Sequence, residues 1–142
     1  MAAEGGVRTF DLSVVTPDGA AFEGEAEMVI VPGAAGEIGV LARHAPLVAM
    51  LKAGEIRLKA NGEWQVFAAG PGYFKVHQDR AIVLVDDAVR AEEIDVEAAR
   101  READEARGLL ERADAGEEDV DRWRVEQQLR HAENKIAVAG RG

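Results

Sequence analysis

The sequence predicts an α+β protein, with a β-sandwich or barrel over residues 1–89 and an antiparallel α-helical hairpin over residues 90–142. Three observations predict it. From Phe10 to about Asp87, short runs of β-branched and aromatic residues are cut every eight to twelve residues or so by Gly, Pro, Asn or Asp, the rhythm of an all-β sheet. After Val89 the apolar residues recur in steps of three and four, the period of a helix. Asp114-Ala115-Gly116 then divides that helical stretch in two.

In the first strand, Phe10, Leu12 and Val14 alternate with Asp11 and Ser13, so one face is apolar. Thr16-Pro17-Asp18-Gly19 ends it, since Pro presets one turn dihedral and Gly tolerates the conformations other residues resist. Met28 to Val31 is apolar without interruption, the signature of a strand buried on both faces. Ile56 and Leu58 alternate with Arg57 and Lys59 ahead of Asn61-Gly62, and Trp64 and Val66 follow. A two-residue Asn61-Gly62 loop would pair Lys59 with Trp64 and mix charged and apolar residues on one face. A three-residue loop with Gly62 left-handed sets Leu58 opposite Trp64 and Ile56 opposite Val66, and this register is the expected one. Phe74 and Val76 lead through Gln78-Asp79 to Ile82–Val85, a further hairpin.

Beyond Val89, the residues Val96, Ala99, Ala103, Ala106, Leu110 and Ala113 form a helical seam, with Asp95 placed to cap its start. A second helix is expected from about Glu117 to Val138, with Val125, Leu129, Ala132, Ile136 and Ala139 as its stripe. A short connection makes the two antiparallel, and the alanines allow close approach. So thin a stripe leaves an isolated hairpin marginal, so it must lean on the β-domain or on a partner.

Composition excludes several classes. With 27 acidic against 17 basic residues the net charge is −10, the wrong sign for a broad nucleic-acid footprint or an anionic lipid surface. The absence of cysteine removes disulfides, thiolate metal sites and cysteine nucleophiles. Apolar runs such as Ala81–Val85 are far shorter than the roughly 20 residues of a membrane span. Met1–Arg8 has no charged start and apolar run of a secretory signal, so a soluble protein that stays in the cytoplasm is expected.

Catalytic, cofactor and metal constellations are not apparent. Gly33-Ala34-Ala35-Gly36-Glu37-Ile38-Gly39 is rich in glycine, but no helix follows and no Gly-Lys-Ser/Thr ends it, so it reads as a sheet-connecting loop. His44, His77 and His131 lack the i, i+4 spacing of a zinc site on a helix. Asp86-Asp87 and Glu92-Glu93 read as solvated surface. Asp114, Glu117, Glu118 and Asp119 cluster at the hairpin tip, where acids suit the start of a second helix better than a metal lacking substrate phosphates. Two other classes stay open on residues alone: a small-ligand-binding β-module, and an accessory factor of a nucleic-acid enzyme acting through the acidic tip.

The run Gly36-Glu37-Ile38-Gly39-Val40-Leu41 followed by His44-Ala45-Pro46-Leu47 closely resembles the signature of the epsilon subunit family of bacterial F-type ATP synthases, called delta in mitochondria. Ile56-Arg57-Leu58, Gly70-Pro71-Gly72-Tyr73-Phe74-Lys75-Val76 and Val83-Leu84-Val85-Asp86-Asp87-Ala88 leading to Ile94-Asp95 fall in the family's order, so the resemblance spans about Phe10 to Ala139.

The resemblance implies a ten-stranded β-sandwich seated against the gamma shaft and the polar loops of the membrane c-ring. It implies a non-catalytic subunit on the cytoplasmic face of the bacterial inner membrane. The segment Glu37 to His44 is expected as a loop at the ring, with Glu37, Ile38, His44 and Pro46 as partner contacts. Ala42-Arg43 stands where the family commonly has Pro-Gly, so a looser turn is expected there. Some relatives bind ATP through Ile or Leu, Asp, two variable residues, Arg and Ala. Here the stretch is Ile94-Asp95-Val96-Glu97-Ala98-Ala99, with Ala98 in the arginine's place, so ATP binding is expected to be weak or absent. In other relatives the second helix meets the alpha/beta catalytic head and inhibits hydrolysis. From Glu117 to Val138 this chain has four basic residues against six acidic ones, so weak inhibition is expected.

Overall fold

Alternation drives the N-terminal part into strands, each placing every second side chain in one shared core. The computed structural model describes residues 8–140; the stretch Met1–Val7, most of the segment read above for a leader, lies outside the described residues. Ten strands follow in order: β1 (Phe10–Thr16), β2 (Gly19–Ala26), β3 (Met28–Gly33), β4 (Gly36–Leu41), β5 (Leu47–Leu51), β6 (Gly54–Ala60), β7 (Glu63–Ala69), β8 (Gly72–His77), β9 (Arg80–Val85) and β10 (Ala88–Arg90). A single 3-10 turn at Ala91–Glu93 leads to α1 (Val96–Asp114) and α2 (Arg122–Ala139).

The sheet runs β10-β7-β6-β3-β5-β8-β9-β1-β2, with β4 paired to β3. All pairings are antiparallel except β1 with β9. Because β2 comes back against β6 and β1 against β10, the sheet curls into a sandwich close to a barrel. Phe10, Leu12, Val14, Val29, Val31, Ile56, Leu58, Phe67, Phe74 and Val83 fill it.

Two expectations for the strands fail. In β3, Val29 and Val31 are buried but Met28 and Ile30 are only half-buried, so the unbroken apolar run has one core face rather than two. At the β6–β7 hairpin the two-residue loop wins. Lys59 pairs with Trp64, Leu58 with Gln65 and Ile56 with Phe67. Asn61 and Gly62 both take positive φ, 54° and 76°, the two-residue turn whose twist matches the flanking strands. Mixing charge with apolar groups on the outer face is tolerated because Trp64 is half exposed to water while Val66 and Ala68 lie under the helical hairpin.

The hairpin forms as its period requires. Asp95 caps α1, its side chain accepting from Ala98 N at 3.0 Å, and Ala99, Ala103 and Ala106 are buried against α2. Helix α2 begins at Arg122, five residues later than expected, capped by Asp121. Glu117 and Glu118 are instead drawn back to α1, where their amides donate to the Arg112 carbonyl and close its C-terminus. Ion pairs Arg107–Glu133 and Lys135–Glu102 cross between the helices and fix them antiparallel. Val138, outside the predicted stripe, is the residue α2 buries on the sheet, against Ala68 and Ala91.

Candidate functional site: two outer surfaces and a hinge

The predicted contact residues do not form one loop. Residues 36–41 are strand β4, zipped to β3 from Gly33–Gly36 to Met28–Leu41. Glu37 therefore sits at one end of β4, and His44 lies in the connection beyond the other end. Four strand residues alone separate Glu37 from Leu41 by roughly 13 Å. Ile38 is half-buried and packs on the core, so it anchors the strand and offers little to a partner. Pro46 and Leu41 are exposed beside His44, whose Nδ1 lies 2.8 Å from the Ala45 carbonyl oxygen.

Glu37 is exposed yet not free. Arg57 Nη2 on β6 donates to its two carboxylate oxygens at 3.2 and 3.0 Å. Arg57 Nε also lies 3.2 Å from Glu55 Oε1, so one guanidinium gathers two acids across three strands. The connection after β4 is not loosened by Arg43. Arg43 adopts φ 65°, the left-handed conformation a glycine would take, and its amide donates to Asp79 Oδ1 at 2.6 Å.

Five of the eight exposed large hydrophobic residues among the described residues lie on one face that sequence reasoning missed. On the outer face of β5, β8 and β9, Val48 (71% exposed), Met50 (62%), Tyr73 (57%), Leu84 (50%) and Ile82 (41%) are neighbours by register. Met50, Tyr73 and Leu84 form one row across three strands, and Val48, Lys75 and Ile82 the next. The alternation Tyr73/Lys75 against Phe74/Val76 carried the signal, but alternation alone does not say that both faces of a strand are apolar.

The hinge between hairpin and sheet is the third feature. His131 Nε2 lies 2.7 Å from Asp87 Oδ2, and Asn134 Nδ2 donates to the Gly54 carbonyl at 2.8 Å. Beside them, Pro71, Asp86, Trp123, Arg124, Gln127 and His131 help line an open cleft of about 260 Å³. Burial raises the Asp86 carboxyl above its ordinary range; His131 opposes that shift and Asp87 adds to it. A Cβ at Gly70 would fall 1.8 Å from Asp86 Oδ1, so any side chain there would displace that carboxylate.

The stretch Ile94-Asp95-Val96-Glu97-Ala98-Ala99 is used for folding. Ile94 packs beside the hinge, Asp95 caps α1, and Ala99 is buried in the helix seam. Ala98 is half-buried and supplies no cation. The tip acids are dispersed: Glu118 pairs with Arg112 at 3.0 Å and Asp114 with Arg122. Among the described residues no cluster of His, Asp and Glu has metal-binding geometry, and no helix is long and apolar enough to cross a membrane.

A ten-stranded sandwich with a helical hairpin folded onto it defines the class of fold to which the chain belongs. The model of the ATP synthase Delta/Epsilon chain beta-sandwich domain matches residues 9–91. The ATP synthase epsilon chain of Halalkalibacterium halodurans is 41% identical over 133 residues, covering 94% of this chain and 98% of that one. The sodium ion specific ATP synthase epsilon chain of Propionigenium modestum is 40% identical, over 92% and 93% of the two chains. Among solved structures, a chain of the Euglena gracilis mitochondrial ATP synthase OSCP/F1/c-ring assembly superposes with TM-score 0.75 at 22% identity, covering 96% of this chain and 86% of that one. The chain belongs to the epsilon subunit family of F-type ATP synthases.

Proposed function

We propose that the chain is a non-catalytic rotor subunit of a proton-translocating F-type ATP synthase, coupling the membrane c-ring to the gamma shaft from the cytoplasmic face of a bacterial inner membrane. The observation that carries the reading is the exposed apolar face of Val48, Met50, Tyr73, Ile82 and Leu84 on strands within the curled sheet. Contiguous apolar surface of this kind marks an interface, and hydrogen-bonded neighbouring strands hold it in fixed geometry. That face is our candidate for the shaft. The β4 strand and the turn after it, with Glu37, His44 and Pro46, are our candidate for the ring, and Arg57 and Asp79 give them fixed geometry. The name shared by the relatives supports membership of such an assembly.

Residues 90–142 form a second, regulatory unit on this reading. The later start of α2 changes its charge: Arg122–Ala139 has four basic residues, Arg122, Arg124, Arg130 and Lys135, against two acidic ones, Glu126 and Glu133. Arg122 and Lys135 are already paired with Asp114 and Glu102, which leaves Arg124 and Arg130 to reach toward the alpha/beta head. Inhibition of hydrolysis is therefore weak, and ATP is not held at Ala98.

The test is affinity purification of a tagged full-length chain from membranes of its source cell. Recovery of a rotary ATP synthase with intact rotor subunits supports the reading. A free monomer, with the synthase eluting separately, refutes it.

A further inference from the structure

We propose that the surface seated on β5, β8 and β9 is apolar but presents a carboxylate opposite Lys75, making Lys75 a specificity residue of that interface. The proposal rests on the rotor-subunit reading and adds the chemistry of the partner. Lys75 stands in the middle of the apolar face: Val48 and Ile82 flank it across the strands, and Tyr73 lies two residues before it on β8. It is exposed and forms no ion pair among the described residues. Other cations, among them Lys52, Lys59, Arg101, Arg124 and Arg130, also have no ion pair among the described residues, but Lys75 is the one set between Val48 and Ile82 in the apolar rows. Along the register row through Lys75, Ile82 and Ser13, the first acid is Glu23, three strands away and so roughly 14 Å distant.

A lone cation in an acidic chain commonly serves solubility, and on an edge strand it would guard against sheet extension. Here β8 is an interior strand, hydrogen-bonded on both sides, so there is no edge to guard. A partner covering the surrounding apolar groups must take the ammonium out of water, which is unfavourable unless an acceptor charge meets it. A second copy of this chain is the wrong occupant, because the rows Met50-Tyr73-Leu84 and Val48-Lys75-Ile82 of this face hold no carboxylate to meet Lys75.

The test measures the affinity of the full chain for its cognate purified shaft subunit, using Lys75→Glu, Lys75→Met and Leu84→Asp, with a thermal melt of each variant to confirm folding. Lys75→Glu is expected to weaken binding by at least about 30-fold and Lys75→Met to weaken it as well, because a partner carboxylate is left buried and unpaired. Replacing that carboxylate by lysine in the shaft subunit should restore Lys75→Glu. Loss of binding in Leu84→Asp alongside unchanged or tighter binding in Lys75→Met overturns the charge match but leaves the docking face standing. Unchanged binding in Leu84→Asp overturns the face itself, while the purification from membranes still decides the subunit reading. A dimer of the isolated chain that Leu84→Asp dissolves makes a second copy the occupant and also overturns the proposal.

Discussion

The main-chain amide of Arg43 donates to Asp79 Oδ1 at 2.6 Å, tying the connection after β4 to the β8–β9 turn. Each partner has an unusual backbone, with φ 65° at Arg43 and 56° at Asp79. One carboxylate thus holds a left-handed arginine in the place where glycine would be expected, next to His44 and Pro46.

That contact makes a stability prediction. A left-handed non-glycine residue costs roughly 1–2 kcal/mol, and glycine gives back about 0.5–1 kcal/mol through its unfolded-state freedom. Arg43→Gly should therefore stabilise the subunit by about 0.5 kcal/mol, whereas Asp79→Ala should destabilise it by about 1 kcal/mol. Urea unfolding of the two variants measures both signs.

Arg57 and Glu37 predict a separation of stability from function. Their contact is partly exposed, 29% and 63% at the two side chains, so it adds at most about 1 kcal/mol to folding. Arg57→Met should shift the urea midpoint little. In reconstituted vesicles it should lower ATP synthesis in the same direction as Glu37→Ala, because the carboxylate loses its fixed position. Full activity in both variants would remove Glu37 from the ring contact.

The hinge predicts a pH dependence. His131 faces Asp86 and Asp87 from the sheet and Glu102 and Glu105 from α1, with Arg124 and Lys135 on its own helix. Its contact with Asp87 is an ion pair only while the imidazole is protonated. The raised Asp86 acts in the same direction: a carboxyl whose folded-state affinity for protons exceeds its unfolded value favours the folded arrangement at low pH and loses that effect as pH rises. Docking of α2 should accordingly strengthen as pH falls toward the raised range of the Asp86 carboxyl. Fluorescence of Trp123 in a Trp64→Phe background reports it, and Asp86→Asn should flatten the dependence.

The missing cation predicts silence toward nucleotide. Calorimetric titration with ATP and magnesium should show no saturable micromolar binding. Ala98→Arg returns the phosphate-binding group, and a measurable isotherm in that variant alone is the expected result.

Much of the fold was legible because period and turn chemistry are local. Alternation at Phe10–Val14, the Asp95 cap and the Ala99–Ala103–Ala106 seam all stand as read. Errors came where a distant segment decides. Tolerance of Lys59 opposite Trp64 depends on α2 covering Val66 and Ala68, more than sixty residues on. The start of α2 depended on Arg112 recruiting the Glu117 and Glu118 amides, a choice that acid-favouring rules for helix starts do not reveal. The site was less legible than the fold. Glu37 and His44 were singled out through motif, but the Arg57 and Asp79 that hold their surroundings lie elsewhere in the sheet. The apolar face emerged only once register placed Met50, Tyr73 and Leu84 in one row.

The most direct test of the central claim, that one rigid sandwich docks on two rotor components at once, is photo-cross-linking within the assembled synthase. A photoreactive residue replacing Tyr73 should label the shaft, and one replacing Glu37 should label the ring, in the same preparation and with activity retained. Labelling of a single component from both positions, or of neither, contradicts the account.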